Sequence, residues 1–372
     1  MQLDLHIPTR VVFGRGRLGE LGELVRPLGG HALIVSGRIA MRRSGTLDFC
    51  IKTLESAGLA VSVFDGISPE PLAAEVDQAV ELARSAGCDV IVGLGGGSAI
   101  DAAKAAAVGL ALGPIGPLVG ATIPPGTDTV PVVAVPTTAG SGAEVTKGAI
   151  ITDAERNLKS GIRGEVLFPT VALIDPDLLL TVPSSVAAAA GFDAFAHAVE
   201  GYVARRANRF TRELALEAVE IIGRTLPEVT AGRADPAARE DLAYAALLGG
   251  MNVAVASTCL PHRLQQAMGA VPRVSISHGR GLAAVYPAWL ETAVPHAEQR
   301  FATVSAPLGP EAPAVSIGRF MAEIGAAGSM AAHGFTTADL PVLSAAVTGN
   351  TENDPVPAIS ADIVRSVYER SL

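Results

Sequence analysis

The stretch Val90-Ile91-Val92-Gly93-Leu94-Gly95-Gly96-Gly97-Ser98-Ala99-Ile100-Asp101-Ala102-Ala103-Lys104 decides how this chain reads. A β-branched apolar run passes through glycines into an alanine-rich segment, the pattern of a strand turning tightly into a helix. Glycines let a backbone approach an anion closely, and the free amides of a helix's first turn point at it. The turn therefore reads as a pyrophosphate cradle; the plainer alternative is a tight strand–helix turn with no ligand. Its spacing is not GxGxxG, so the ordinary dinucleotide fingerprint is absent.

Outward from this unit, the same alternation fills the first half of the chain. Strands are predicted at Ala32–Ser36, Val61–Phe64, Val132–Val135 and Val171–Ile174, with an amphipathic helix at Leu72–Ala86. Continuous apolar strands between helices imply βαβ units and a parallel sheet covered on both faces. After Thr181 the texture becomes helical, with segments at Val186–Arg205, Thr211–Gly223, Pro236–Ala256 and Ser316–Ile324. Pro183-Ser184-Ser185 reads as a helix start with a serine cap, and Asp235-Pro236 as a cap followed by proline at the first helical position. The expected organisation is a Rossmann-like α/β dinucleotide-binding domain over 1–180 and an all-helical domain over 181–372. A ligand would lie in the cleft between them.

Composition narrows the function. The 372 residues carry 28 Lys+Arg against 37 Asp+Glu, a net charge of −9. That excludes a general basic field for nucleic acid, which needs clustered cations. Apolar residues make up 49% and charged residues 17%, far from a disordered composition. Three cysteines at unrelated spacings build neither a disulfide framework nor a metal knuckle. The mean hydropathy of +0.39 comes from scattered Ala, Val and Leu, not from any uninterrupted run of about 18 apolar residues. The first residues, MQLDLHIPTRVVF, lack the charged and apolar regions of a signal peptide. The expectation is a cytoplasmic protein with no membrane partner.

A second polar turn, Pro136-Thr137-Thr138-Ala139-Gly140-Ser141-Gly142-Ala143-Glu144-Val145-Thr146, follows a strand end, where α/β sheets bind ligands. It reads either as ligand donors or as an N-capped loop. In the helical half, Asp193 and His197 stand four apart and share a helix face, either as two ligands of one ion or as a structural pair. With His262 and His278 they make one oxygen and three nitrogens. Such a set suits Fe²⁺, Zn²⁺, Co²⁺ or Ni²⁺ without choosing among them.

These motifs, with VVFGRGRLGELGEL (11–24), FDGISPEP (64–71), GFDAFAHAVEGY (191–202) and NDPVPAISADIVRSVYE (353–369), resemble the group III, iron-dependent alcohol dehydrogenases. That family includes lactaldehyde reductase, 1,3-propanediol dehydrogenase and maleylacetate reductase. The resemblance runs along nearly the whole chain. It implies a cofactor pyrophosphate at Gly96, Gly97 and Ser98 with Asp101 behind them. It places Thr137, Thr138, Ser141 and Thr146 along the nicotinamide and Lys159 at the ribose. It implies Fe²⁺, or Zn²⁺ or another divalent ion, on Asp193, His197, His262 and His278, and a homodimer.

Three departures stand out. Gly37, followed by Arg38, replaces the Asp that often holds the adenosine ribose, so NADP is expected to be accepted beside NAD. Gln266 stands where the family usually has a second histidine, and an amide cannot relay protons. The stretch between His262 and His278 is longer than usual. Arg263, next to His262, reads either as a clamp for an anionic substrate or as a surface or domain-bridging salt bridge; Arg273, in the longer stretch, invites the same question. The expected reaction is metal-assisted, NAD(P)H-linked reduction of a small aldehyde to a primary alcohol. An acidic aldehyde such as phosphonoacetaldehyde or a semialdehyde acid is one candidate substrate. The alternatives are dehydroquinate-synthase-like or glycerol-phosphate-dehydrogenase-like chemistry on the same architecture, or an inactive cofactor-binding homologue.

Overall fold

The computed structural model describes residues 4–233 and 235–372. By internal packing the chain divides into two units. Of the described residues, one comprises 7–138 and 143–182, the other 4–6, 139–142, 183–233 and 235–372.

The first unit is a parallel sheet with helices on both faces. Its strands are β1 (Arg10–Phe13), β2 (His31–Gly37), β3 (Ala60–Ile67), β4 (Val90–Gly95), β5 (Val132–Pro136) and β8 (Val171–Ile174), in the order β1-β8-β5-β4-β2-β3. Every pair is parallel. A separate antiparallel hairpin joins β6 (Gly148–Asp153) to β7 (Leu158–Arg163). Alternate side chains of the buried strands serve opposite faces. Ala32, Ile34, Val90, Val92, Val133 and Val135 pack with helices α1 (Leu21–Val25) and α3 (Thr46–Ser56). Leu33, Val35 and Ile91 pack with α4 (Ala73–Ala86) and α5 (Gly97–Leu112); the short α2 spans Ala40–Arg43. From β2 the chain steps outward to β3, then returns to place β4 on the other side of β2. This reversal lies between the carboxyl ends of β2 and β4, where open α/β sheets bind ligands. Gly37 closes one of those strands and Gly95-Gly96 the other. All five predicted strands are present; β1 and the β6–β7 hairpin are additional.

The second unit is helical, with α6 (Ser184–Val203), α7 (Arg209–Thr230), α8 (Pro236–Ala256), α9 (Leu260–Ala267), α10 (His278–Ala293), α11 (Glu298–Ser305), α12 (Pro313–Glu323), α13 (Leu340–Ala346) and α14 (Ala361–Ser371). The predicted cap at Asp235 is made, its carboxylate accepting from the Ala238 amide at 2.8 Å. The predicted serine cap is not. Pro183 is the cap residue, extended at φ −61° and ψ 145°, and Ser184 is already helical without a capping hydrogen bond. Phe192 and Phe195 of α6 pack with Tyr286 and Trp289 of α10 and Phe301 of α11 in one core. Among the described residues no single helix is long and apolar enough to cross a membrane.

Candidate metal centre and dinucleotide cradle

Three helices supply the candidate metal donors. Asp193, His197 and Glu200 lie on one face of α6 at successive turns, His262 on α9, and His278 at the first position of α10. One oxygen is their common neighbour. Asp193 Oδ1 lies 3.4 Å from His197 Nε2, 3.4 Å from His262 Nε2 and 3.3 Å from His278 Nε2. Donor atoms of Asp193, His262 and His278 lie within 4.8 Å of one another; His197 stands on the same oxygen but outside that mutual set. The His197 and His262 rings stack, with centroids 4.7 Å apart.

The surrounding hydrogen bonds decide which imidazole nitrogen faces inward. His262 Nδ1 meets both Glu200 oxygens at 2.9 Å, and Glu200 is fully buried and also accepts from the Cys259 amide. His278 Nδ1 meets Gln265 Oε1 at 2.5 Å. With those nitrogens donating outward, the Nε2 lone pairs of both rings face the carboxylate oxygen. Asp193 Oδ1 and His262 Nε2 are buried and have no hydrogen-bond partner. Lone pairs converging at such distances repel unless a cation lies among them, so the residues fit a divalent ion.

Electrostatics favour a cation at Asp193 and His197, whereas at His262 a cation would have to displace a proton. Burial alone would raise the Asp193 carboxyl, but the imidazoles around it hold it well below the usual carboxylate range. Burial pushes His197 down to about 4, keeping it neutral. His262 resists its own burial because Glu200 and Asp193 carry it up to about 9.

The turn into α9 is fixed by the 353–356 segment. Asn353 Nδ2 donates to the Ala256 and Thr258 carbonyls, and Asp354 accepts from the Leu260 amide and Trp289 Nε1. Ser257, within that turn, sits at φ +61°, a strained conformation for a residue with a Cβ. Arg263 is buried, donating to Thr258 Oγ1 at 2.5 Å and Gln266 Oε1 at 3.2 Å. Of the salt-bridge reading of Arg263, surface or domain-bridging, the surface form is corrected: the residue lies on a short helix whose residues are all buried. Arg273 is the surface residue, bonded to the Gly334 carbonyl and paired with Asp339.

In the sheet unit, no side chain caps the first turn of α5, so its amides remain suited to an anion. A Cβ at Gly96 would come within 3.2 Å of Thr138 Oγ1, a tight contact that the threonine side chain would have to relieve. Ser98 Oγ donates to the Pro69 carbonyl, and Thr137 N to the Gly95 carbonyl at 2.9 Å. Asp101 lies behind the cradle, accepting from the Ile150 amide at 2.9 Å and facing Lys104 Nζ at 3.1 Å. The buried Lys104 also reaches the Ala143 carbonyl and Thr146 Oγ1. Lys159 is buried and paired with Glu70. Ser141 is half-buried and belongs, with residues 139–142, to the helical unit. Beside Gly37, Arg38 is exposed but tied to Glu75 at 2.7 Å and to the Gly66 carbonyl.

The comparisons with known proteins agree along both halves. Residues 8–176 match the model of the iron-containing alcohol dehydrogenases, and residues 187–372 that of the Fe-containing alcohol dehydrogenase family, C-terminal. The chain belongs to the iron-containing alcohol dehydrogenases. Among relatives of this family, the NAD-dependent methanol dehydrogenase of Bacillus methanolicus is 34% identical over 74% of this chain and 72% of its own. The 1,3-propanediol dehydrogenase of Citrobacter freundii is 32% identical over 95% and 94%. The structure of sulfoacetaldehyde reductase from Bifidobacterium kashiwanohense in complex with NAD⁺ superposes with a TM-score of 0.86, at 26% identity over 100% of this chain and 98% of that one. For an iron-containing alcohol dehydrogenase the candidate metal residues stood out in the sequence, whereas Glu200, Gln265, Asn353 and Asp354 were not singled out. Glu200 had a signal, since it falls seven residues after Asp193 on the same helix face.

One buried acid outside this centre makes the protein sensitive to pH. Burial pushes Glu144 up to about 7, partly offset by Lys104. A carboxyl raised in the folded state contributes its stability below the unfolded value and loses it as pH rises through the folded one. Glu144→Gln should therefore gain about 2 kcal/mol on the native protein between pH 5.5 and 8. Urea unfolding of both proteins at the two pH values measures this; parallel pH dependence would contradict it.

Proposed function

We propose that this alcohol dehydrogenase interconverts a small aldehyde and its primary alcohol using a divalent metal, preferably Fe²⁺, and NAD(H) or NADP(H), with an anionic aldehyde as its preferred substrate. The observation that carries the reading is the single carboxylate oxygen of Asp193 with three imidazole nitrogens at 3.3–3.4 Å. Asp193, His197, His262 and His278 would hold the ion, which when bound supplies Lewis acidity toward a carbonyl oxygen.

The chain's own residues do the rest. Glu200 and Gln265 lock the His262 and His278 rings, so the donor set needs no rearrangement on loading. The backbone at Gly96, Gly97 and Ser98 binds the cofactor pyrophosphate, and Asp101 pins the helix behind it. By the family pattern Thr137, Thr138, Ser141 and Thr146 are assigned to the nicotinamide and Lys159, paired with Glu70, to the ribose. With no carboxylate at Gly37, a 2′-phosphate meets no repulsion, and Arg38 is balanced by Glu75 without being buried. Gln266 has no proton to release, so the product oxygen takes its proton from water or a ribose hydroxyl.

Support for an anionic substrate comes from Arg263. A buried guanidinium next to His262, whose partners include Thr258 and Gln266, offers the planar fork that matches a carboxylate, phosphonate or sulfonate. The sulfoacetaldehyde reductase among the similar structures acts on such an aldehyde by name. The test is NADH and NADPH oxidation by anaerobically Fe²⁺-loaded protein, with phosphonoacetaldehyde and succinic semialdehyde beside propanal and lactaldehyde. Arg263→Met should raise KM for the acidic aldehydes roughly ten- to hundredfold and leave the neutral pair unchanged. Equal losses on all four would return Arg263 to a packing role. Silence of the native protein on all four would favour an inactive homologue.

A further inference from the structure

A second polar concavity, of about 330 Å³, opens on the helical unit and is lined by Arg205, His296, Arg300 and Pro355. Its residues come from separate places: Arg205 just beyond α6, His296 between α10 and α11, Arg300 on α11, and Pro355 in the segment that braces the turn into α9. Each guanidinium is held by one of its nitrogens. Arg205 Nε donates to the Asp354 carbonyl at 2.9 Å, and an Arg300 terminal nitrogen to the Val203 carbonyl at 3.1 Å. These anchors orient the forks and leave most of their N–H groups for another acceptor. Neither arginine makes an ion pair among the described residues. Most other exposed arginines here do, including Arg224, Arg233, Arg319, Arg365 and Arg370.

Two pre-oriented guanidiniums without ion-pair partners and an imidazole stand around one open concavity, where an anion would meet fixed donors and complementary charge. The exposed Arg206 and Arg209 follow Arg205 in the chain but do not line the concavity. Planar guanidinium forks match the geometry of phosphate oxygens, and the volume is that of a small-ligand site. We infer that the Arg205–His296–Arg300 concavity binds the phosphate group of a small phosphorylated molecule, at a site separate from the metal donors and the glycine cradle. The site touches Pro355, whose neighbours Asn353 and Asp354 fix the approach to His262, so its occupancy bears on the bracing of the metal-binding helix.

The test is calorimetric titration of inorganic phosphate into the metal-loaded, full-length protein, saturated with NAD⁺ to fill the cradle and held at constant ionic strength. The expected result is saturable binding to one site that weakens at least tenfold in Arg300→Gln and in Arg205→Gln. Arg300→Lys should fall between, and Arg206→Gln, which removes a neighbouring charge outside the concavity, should match the native protein. Thermal unfolding of each variant confirms that it is folded. Three outcomes would overturn the inference: no saturable binding at millimolar phosphate, equal weakening by Arg206→Gln, or binding untouched by both pocket variants.

Discussion

His262→Ala is expected to lower turnover about 10³-fold or more while leaving the dissociation constant for NADH within a factor of two or so. The magnitude follows from the several kcal/mol of charge stabilisation that a metal supplies, at about 1.4 kcal/mol per factor of ten. The substitution removes a donor and also leaves Glu200 fully buried with its imidazole partner gone, a second penalty that further weakens ion retention. NADH binding should survive because the glycine cradle belongs to the other unit. Steady-state kinetics, metal content by elemental analysis and NADH fluorescence titration read the three quantities separately. Retained turnover with a full metal complement would remove His262 from the ligand set.

The second large effect is expected at a residue with no side chain. Gly279 follows His278 in the first turn of α10, and a Cβ there would lie 2.0 Å from the Ala189 carbonyl oxygen of α6. Both partners are helical backbone, so neither can swing aside as a long side chain would. Gly279→Ala must push the start of α10 from α6, at a cost of about 3 kcal/mol, the upper end for overpacking. The shift carries His278 away from Asp193, so metal affinity should fall about ten- to hundredfold, as when an outer support of a ligand is lost. Thermal unfolding of the metal-free protein isolates the packing cost, and a metal titration isolates the displacement. An unchanged melting temperature would mean that the helices part without penalty.

The alternating half of the molecule was legible because buried parallel strands leave a local mark. Val90–Gly95 and Val132–Pro136 are apolar without interruption, and glycines punctuate the helix that follows the first of them. β1 left no such mark: four residues at a sheet edge become a strand only through β8, far along the chain. The β6–β7 hairpin had a cue in its turn, where Asn157 adopts φ +48°, but its strands alternate too weakly to attract notice. Helices α9 and α10 were unread because Pro261 and Pro287 interrupt their periodicity, although the histidines that they carry were recognised. The donors were visible as residue types. Their supports were visible only where they share a helix, as Glu200 does with Asp193. Gln265 meets His278 across a break between helices, and Asn353 meets the Ala256–Thr258 turn from far along the chain, contacts that no local period encodes.

The four donors are spread from residue 193 to residue 278, on three helices separated by α7 and α8. A cation bound by all four would therefore be a cross-link across a long span of chain, closed in the native state and open in the unfolded one. Its effect on folding grows with the logarithm of its free concentration, reaching about 2.7 kcal/mol at a hundredfold excess over the dissociation constant. With such a cation the endurance of the fold would depend on its surroundings as well as on its amino acids: one polypeptide, starved or replete in metal, would be two proteins of different lifetime.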